Sequence, residues 1–142
     1  MKKIILLFLL AAVSTTTIMA TSRRSDWVSK MRETRHDFII EKINVSASQK
    51  KEFLQLYEAM EDEIYNVHKA ARDQAKKVEA MNNPTDVDYQ RAAEAMSNVK
   101  FREGEIEKSY YEKFAKILSK KQLFLLKQAE AEFTRNMVKK NK

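Results

Sequence analysis

Two long stretches of this chain carry apolar residues at helical spacing, and a single proline lies between them. In the first stretch, residues 47–81, the apolar residues follow alternating steps of three and four, with Gln74 as the one polar interruption: Phe53, Tyr57, Met60, Ile64, Val67, Ala71, Val78 and Met81. The second stretch, residues 86–118, carries a similar set, Tyr89, Ala92, Ala93, Met96, Val99, Ile106, Tyr110, Phe114 and Ile117. Such spacing places apolar side chains on one face of a helix. Because Pro84 cannot continue a helix, the pattern predicts an antiparallel hairpin of two long helices.

Folding the two stretches about Pro84 brings residues of similar size together. The predicted pairs are Phe53 with Phe114, Tyr57 with Tyr110, Met60 with Ile106, and Ala75 with Ala92. Bulky residues therefore lie at one end of the hairpin, here called the root, and small ones near the Pro84 turn, here called the tip. Gly104 falls within the second helix, where it costs about 1 kcal/mol relative to Ala. It permits a bend or a close backbone approach, or it is a tolerated defect.

A five-residue pattern, an apolar residue followed by Ser-x-x-Gln, occurs at residues 45–49 and again at residues 118–122. Each copy predicts a capping box, in which the Ser side chain caps a helix start and the Gln side chain reaches back to the Ser backbone. We therefore assign Ser46, Gln49, Ser119 and Gln122 a structural role. Together with the hairpin, these starts predict an all-α fold of four helices over residues 26–43, 47–81, 86–118 and 120–138. One Gly and one Pro in the whole chain argue against a sheet protein.

The first twenty residues have the pattern of a secretory signal peptide. Lys2 and Lys3 precede an apolar run over residues 4–13, and cleavage after Ala20 would leave one helical domain over residues 21–142. An uncleaved anchor is the alternative, although about 10 to 12 apolar residues are few for a membrane span. The chain has no Cys, so it has neither disulfides nor a lipid-modified cysteine. We expect a periplasmic protein.

The charge and the residue types exclude several classes of function. Loss of Lys2 and Lys3 lowers the formal charge from +7 to +5, which is not the signature of a nucleic-acid-binding protein. There is no Gly-rich phosphate loop and no Cys nucleophile, so we predict no catalytic site and no cofactor. The two histidines, His36 and His68, lie about thirty residues apart, which does not support a closed zinc site.

These motifs resemble those of the Spy/CpxP family of periplasmic proteins, whose members carry two LTxxQ motifs. Residues 114–122, followed by residues 130–133, resemble the second motif and the helix behind it, and residues 45–49, followed by Phe53, resemble the first. The resemblance covers roughly residues 43–133. Both copies have Ser where the family usually has Thr, and the first has Val in place of Leu.

The resemblance implies a cradle-shaped antiparallel dimer and an ATP-independent chaperone for unfolded or misfolded envelope proteins. Some members damp an envelope-stress kinase, and a related branch binds zinc. Independently, four apolar residues lie off the predicted seams, namely Leu54, Tyr65, Phe101 and Tyr111. A second copy of the chain would cover them, so we expect a homodimer. Alternatively, the first and fourth helices cover them.

We expect clients to bind the middle of the hairpin, where cations and apolar residues are interspersed. The candidate residues are Tyr65, Lys69, Arg72, Lys76, Arg91, Lys100, Phe101 and Arg102. The alternative is a solvated face whose charges neutralise one another. Two rival functions also stay open, a regulator that binds a membrane sensor kinase or an anti-sigma partner, and a structural coiled-coil module. We expect no nucleic-acid partner and no stable membrane insertion.

Overall fold

A computed structural model describes residues 15–140 as helices joined by short turns. The predicted signal peptide lies mostly in residues 1–14, outside the described residues. The helices are α1 (Thr15–Ile43), α2 (Ala47–Glu79), α3 (Asp86–Ser97), α4 (Val99–Phe114) and α5 (Lys120–Lys140). The described residues contain no β-strand. Within the same range, no helix is both long enough and apolar enough to cross a membrane.

The predicted third helix is present but bent at Asn98, so α3 and α4 form one bent helix. Asn98 keeps right-handed helical angles (φ −79°, ψ −9°), and its N–H still bonds to the Glu94 carbonyl at 3.0 Å. Asn has a low helix propensity, because its side chain competes for backbone hydrogen bonds. The helix ends at Phe114, before the predicted residue 118. Helix α4 continues through Gly104, so the bend is not there. A β-carbon on Gly104 would meet no described atom within 4 Å, so no neighbouring element approaches it closely.

The turn between α1 and α2 is tight because Asn44 adopts a left-handed conformation. Its φ is +51°, its N–H bonds to the Glu41 carbonyl, and the Val45 N–H bonds to the Ile40 carbonyl. This hydrogen-bond pattern is a Schellman motif, which satisfies the last carbonyls of a helix. At the tip, Thr85 and Asp88 form a capping box that starts α3.

The core lies at the root, where four helix segments meet. Here α5 packs against α1, and α2 packs against α4. Rings of Phe53 and Phe114 lie 5.6 Å apart, as the predicted register requires. The core residues are Ile39, Ile43, Phe53, Tyr57, Met60, Tyr110, Phe114, Leu118, Leu123, Leu126 and Ala129.

The tip half of the hairpin buries much less apolar surface than the root. Beyond Met60 and Tyr110, the buried apolar residues of α2 and α3 are Ala71, Val78 and Ala92. Of the four off-seam residues, only Leu54 packs against the core. The other three are exposed, by 56% for Tyr65, 67% for Phe101 and 47% for Tyr111. Helices α1 and α5 therefore do not cover these three, contrary to the second alternative.

Replacing Gly104 with Ala should raise the free energy of unfolding by about 0.5 to 1 kcal/mol. The added methyl group enters open space, and Ala loses less backbone entropy than Gly on forming a helix. Denaturant unfolding at a fixed chain concentration measures the change, with the exposed Lys108→Ala on the same helix as a control. A loss of stability in Gly104→Ala would contradict the prediction.

Candidate functional site

Two capping boxes start α2 and α5 at the root. The Gln49 N–H donates to Ser46 Oγ at 3.3 Å, and the Ser46 N–H donates to Gln49 Oε1 at 3.0 Å. Ser119 and Gln122 repeat these two bonds at 3.2 and 2.9 Å. The boxes satisfy backbone N–H groups that a helix start otherwise leaves without a partner.

The two glutamine side chains also bind each other and the opposite turns. Gln49 Nε2 donates to the Ile117 carbonyl at 2.6 Å and to Gln122 Oε1 at 3.2 Å. Gln122 Nε2 donates to the Asn44 carbonyl at 3.1 Å and to Gln49 Oε1 at 3.0 Å. Asn44 and Ile117 each stand two residues before the Ser of their own motif, so the contact has an approximate two-fold character. Each glutamine therefore closes one helix start and holds the turn that precedes the other.

A cluster of ion pairs around Glu61 attaches α1 to α2. The Glu61 carboxylate accepts from His36 Nε2 at 2.8 Å and from Arg32 Nε at 3.0 Å, and it lies 3.6 Å from Arg35 Nη1. His36 is 8% exposed, and its ring is nearly perpendicular to the Tyr57 ring, with the two ring centroids 5.6 Å apart. Two arginines and a histidine of α1 surround one carboxylate of α2, so the cluster holds the two helices together.

A second polar chain attaches α5 to the hairpin. The Tyr57 hydroxyl donates to Glu130 at 3.2 Å, and Lys127 Nζ donates to Glu130 at 3.0 Å and to Glu107 at 2.9 Å. Burial first, and then the Glu130 carboxylate, raise the pKa of Tyr57 well above its usual range. Tyr57 therefore stays protonated and remains a donor between α2 and α5.

Four of the eight candidate client-binding residues lie on one side of α2. Tyr65, Lys69, Arg72 and Lys76 are spaced at i, i+4, i+7 and i+11, and all four are exposed. We name this set the basic stripe. The Arg72 guanidinium lies 5.8 Å from the centre of the Tyr65 ring. Lys69 bonds to Asp73, which raises the pKa of Lys69 and lowers that of Asp73. Arg72 and Lys76 have no carboxylate within 4 Å among residues 26–139.

The other four candidates do not join the basic stripe. Lys100 pairs with Glu103 at 2.7 Å and Arg102 with Glu105 at 3.9 Å, so both cations are partly neutralised within α4. Phe101 lies nine residues, or 180° of helix rotation, from Tyr110, which faces α2. It therefore points away from the hairpin seam. Arg91 is exposed on α3, near the tip.

A shallow groove lies at the tip, where the sequence pattern predicts side chains packed inside the hairpin. It has a volume of about 680 Å³. Its lining consists of Ala75, Val78, Glu79, Met81, Asn82, Pro84, Tyr89, Ala92, Ala93 and Met96. Tyr89 and Met96 are 56% and 53% exposed, so their prediction as seam residues is wrong. Of the lining residues, Val78 and Ala92 are buried, and the larger Tyr89 and Met96 remain at the rim of the groove.

The described residues contain no group of three His, Cys, Asp or Glu side chains arranged to hold a metal ion. His68 pairs with Glu103 across the hairpin at 3.5 Å, and His36 belongs to the Glu61 cluster.

No protein-family model matches this chain, and no curated protein and no solved structure matches it either. The resemblance to the Spy/CpxP family therefore rests on the two motifs and the predicted hairpin alone.

Removing either glutamine should destabilise the protein, and removing both should cost less than the sum of the single losses. Gln49→Ala and Gln122→Ala each open a capping box and leave a turn carbonyl without its donor, at a cost of about 1 to 2 kcal/mol. Since the two amides bind each other, a double-mutant cycle should give a coupling of about 0.5 to 1 kcal/mol. Chemical denaturation measures all three variants.

Ser48→Ala is the matched control, because Ser48 is exposed in the same turn of α2 and bonds only to the Ser46 hydroxyl. Its free energy of unfolding should fall by less than about 0.5 kcal/mol. Additive losses for Gln49 and Gln122 would show that each glutamine acts on its own box only.

Proposed function

We propose that this chain is an ATP-independent periplasmic chaperone that binds unfolded or misfolded envelope proteins and limits their aggregation. The observation that carries the proposal is a hairpin with large exposed apolar side chains beside cations that lack a carboxylate partner. On α2, Tyr65 is more than half exposed, and the Arg72 guanidinium lies 5.8 Å from its ring. On α3, Tyr89 and Met96 are also more than half exposed. Cations attract acidic segments at long range, and exposed apolar side chains then provide short-range contacts.

The shape of this surface suits many weak partners better than one small ligand. The tip groove is shallow and open to solvent, and its rim includes Met81 and Met96. Methionine is flexible and polarizable, so it can adapt to differently shaped apolar groups. Adaptable surfaces of this type favour broad binding over specificity.

The small amount of apolar burial in the tip half supports a homodimer as the working form. Tyr65, Phe101 and Tyr111 stay exposed in a single chain, although two of them are among the bulkiest side chains of α4. A second copy packed along the hairpin would cover part of this surface, and a two-fold arrangement is the commonest solution. The cradle-shaped dimer and the periplasmic location follow from the resemblance and the signal peptide.

The chain from Thr21 onwards should suppress the aggregation of a reduced, acidic test protein at near-stoichiometric amounts and without ATP. Arg72→Glu combined with Lys76→Glu should raise the concentration needed for half suppression by about fivefold, because each reversal removes surface attraction of about 0.5 kcal/mol. Added salt should weaken suppression by the unaltered chain. Light scattering measures aggregation.

Lys50→Glu combined with Lys51→Glu is the matched control, since it makes the same charge change on exposed residues at the root end of α2. This variant should stay within twofold of the unaltered chain. Equal losses in both double variants would indicate a net-charge effect and contradict a role for the basic stripe. If several test proteins all aggregate as before, the chaperone proposal fails. Capture of one membrane sensor or anti-sigma partner would then favour the regulatory function.

A further inference from the structure

The formal positive charge of this protein is concentrated in its last helix and the residues that follow it. Lys2 and Lys3 are the only charged residues before Thr21, so residues 21–142 carry +5 of the total of +7. Residues 120–142 contain seven Lys or Arg and two Glu, which also gives +5. Residues 21–119 therefore contain equal numbers of acidic and basic side chains. Within α5 itself, six Lys or Arg and two Glu give +4 of this excess.

The cations of α5 lie on the face that points away from the core. Leu126, Ala129 and Phe133 are buried on the inner face. Helical periodicity places the opposite face at Lys120, Lys121, Phe124, Lys127, Gln128, Ala131, Arg135, Val138 and Lys139, all of them exposed. None of these outward-facing residues is acidic, although Glu132, which pairs with Lys42 at 2.9 Å, lines the edge of this face. Lys127 is paired with Glu107 and Glu130, whereas Lys120, Lys121, Arg135 and Lys139 have no carboxylate within 4 Å among residues 26–139.

The outward face also carries apolar side chains without forming a pocket. Phe124 is 63% exposed and Val138 is 57% exposed. An open depression of about 490 Å³ lies beside Phe124, and its lining residues all belong to α5. At 1.5 Å per residue, α5 is about 30 Å long. The result is a long, basic face with a projecting aromatic ring.

We propose that the outward face of α5 binds the surface of a bilayer that contains anionic phospholipids. Lys120, Lys121, Arg135 and Lys139 complement the phosphate groups, and Phe124 enters the boundary between headgroups and acyl chains. Contact is peripheral, since no helix within residues 15–140 is suited to cross a membrane. An acidic protein would also match the charge, but the depression on this face is open and lined by α5 alone, so it does not enclose a helix or a loop. The basic stripe lies on α2, so both surfaces can act at once.

Vesicle flotation tests the proposal with the chain from Thr21 onwards. All core residues lie at or beyond His36, and this chain lacks the apolar run of residues 4–13 that would itself enter lipid. The chain should float with vesicles of phosphatidylglycerol and phosphatidylcholine and stay behind with phosphatidylcholine alone. Each cation near an anionic bilayer strengthens binding about fivefold. Lys121→Glu combined with Arg135→Glu should therefore weaken binding at least about 25-fold.

Two further variants separate lipid binding from simple charge attraction. Arg72→Glu combined with Lys76→Glu makes the same charge change on α2 and should bind anionic vesicles within twofold of the unaltered chain. Phe124→Ser keeps the charge and should weaken binding about tenfold by removing a buried ring. Thermal unfolding of each variant checks that the fold is retained.

Equal weakening in the two charge-reversal variants would overturn the proposal, as would failure of the unaltered chain to float with anionic vesicles. Binding of soluble polyglutamate tests whether the partner of this face is an acidic protein instead of lipid. If polyglutamate binds as tightly as the vesicles do and Phe124→Ser changes nothing, the face is a site for acidic proteins and the lipid proposal is wrong.

Discussion

The paired amides of Gln49 and Gln122 determine how the four helix segments of the root meet. Each amide is bonded to its own helix start, to the opposite turn and to the other amide, so neither turn can move without breaking bonds in both. These two turns set the angle between α1 and α2 and the angle between α4 and α5. Because a partly buried amide loses free energy when a partner is removed, this contact ties local helix capping to the tertiary arrangement. The aromatic core of Phe53, Tyr57 and Phe114 packs directly beyond it.

Burial is uneven because only the root has four helix segments. There, the core is closed by α1 and α5, and the Glu61 cluster and the Tyr57–Glu130 contact reinforce it. Farther out, the hairpin has two helices, and a two-helix layer can bury one narrow stripe per helix. The surfaces proposed for clients and for lipid therefore have different origins. The basic stripe lies on an exposed part of α2 beyond the core. The face proposed for lipid is the solvent-facing side of α5, whose opposite side is buried in the core.

Local sequence patterns predicted the elements that depend on a residue's own helix. The two Ser-x-x-Gln boxes, the stop at Asn44 and the hairpin register at Phe53 all follow from capping and periodicity. The contact between Gln49 and Gln122 joins turns 73 residues apart, and no local pattern reports such a contact. The exposure of Tyr89 and Met96 was likewise missed, because a seam pattern assumes that the partner helix follows at constant distance. The bend at Asn98 was not predicted either, because a single Asn is compatible with an unbroken helix.

The same helices therefore differ in stability along their length. We expect amides near Phe53 and Phe114 to exchange with solvent only on global unfolding, because they lie in the core, whereas the segment from Ala71 to Met96 has few buried contacts to oppose a local opening. Asn98 lies between these two parts of the bent helix. Local opening of residues 71–96 would change the width of the tip while the root keeps its fold.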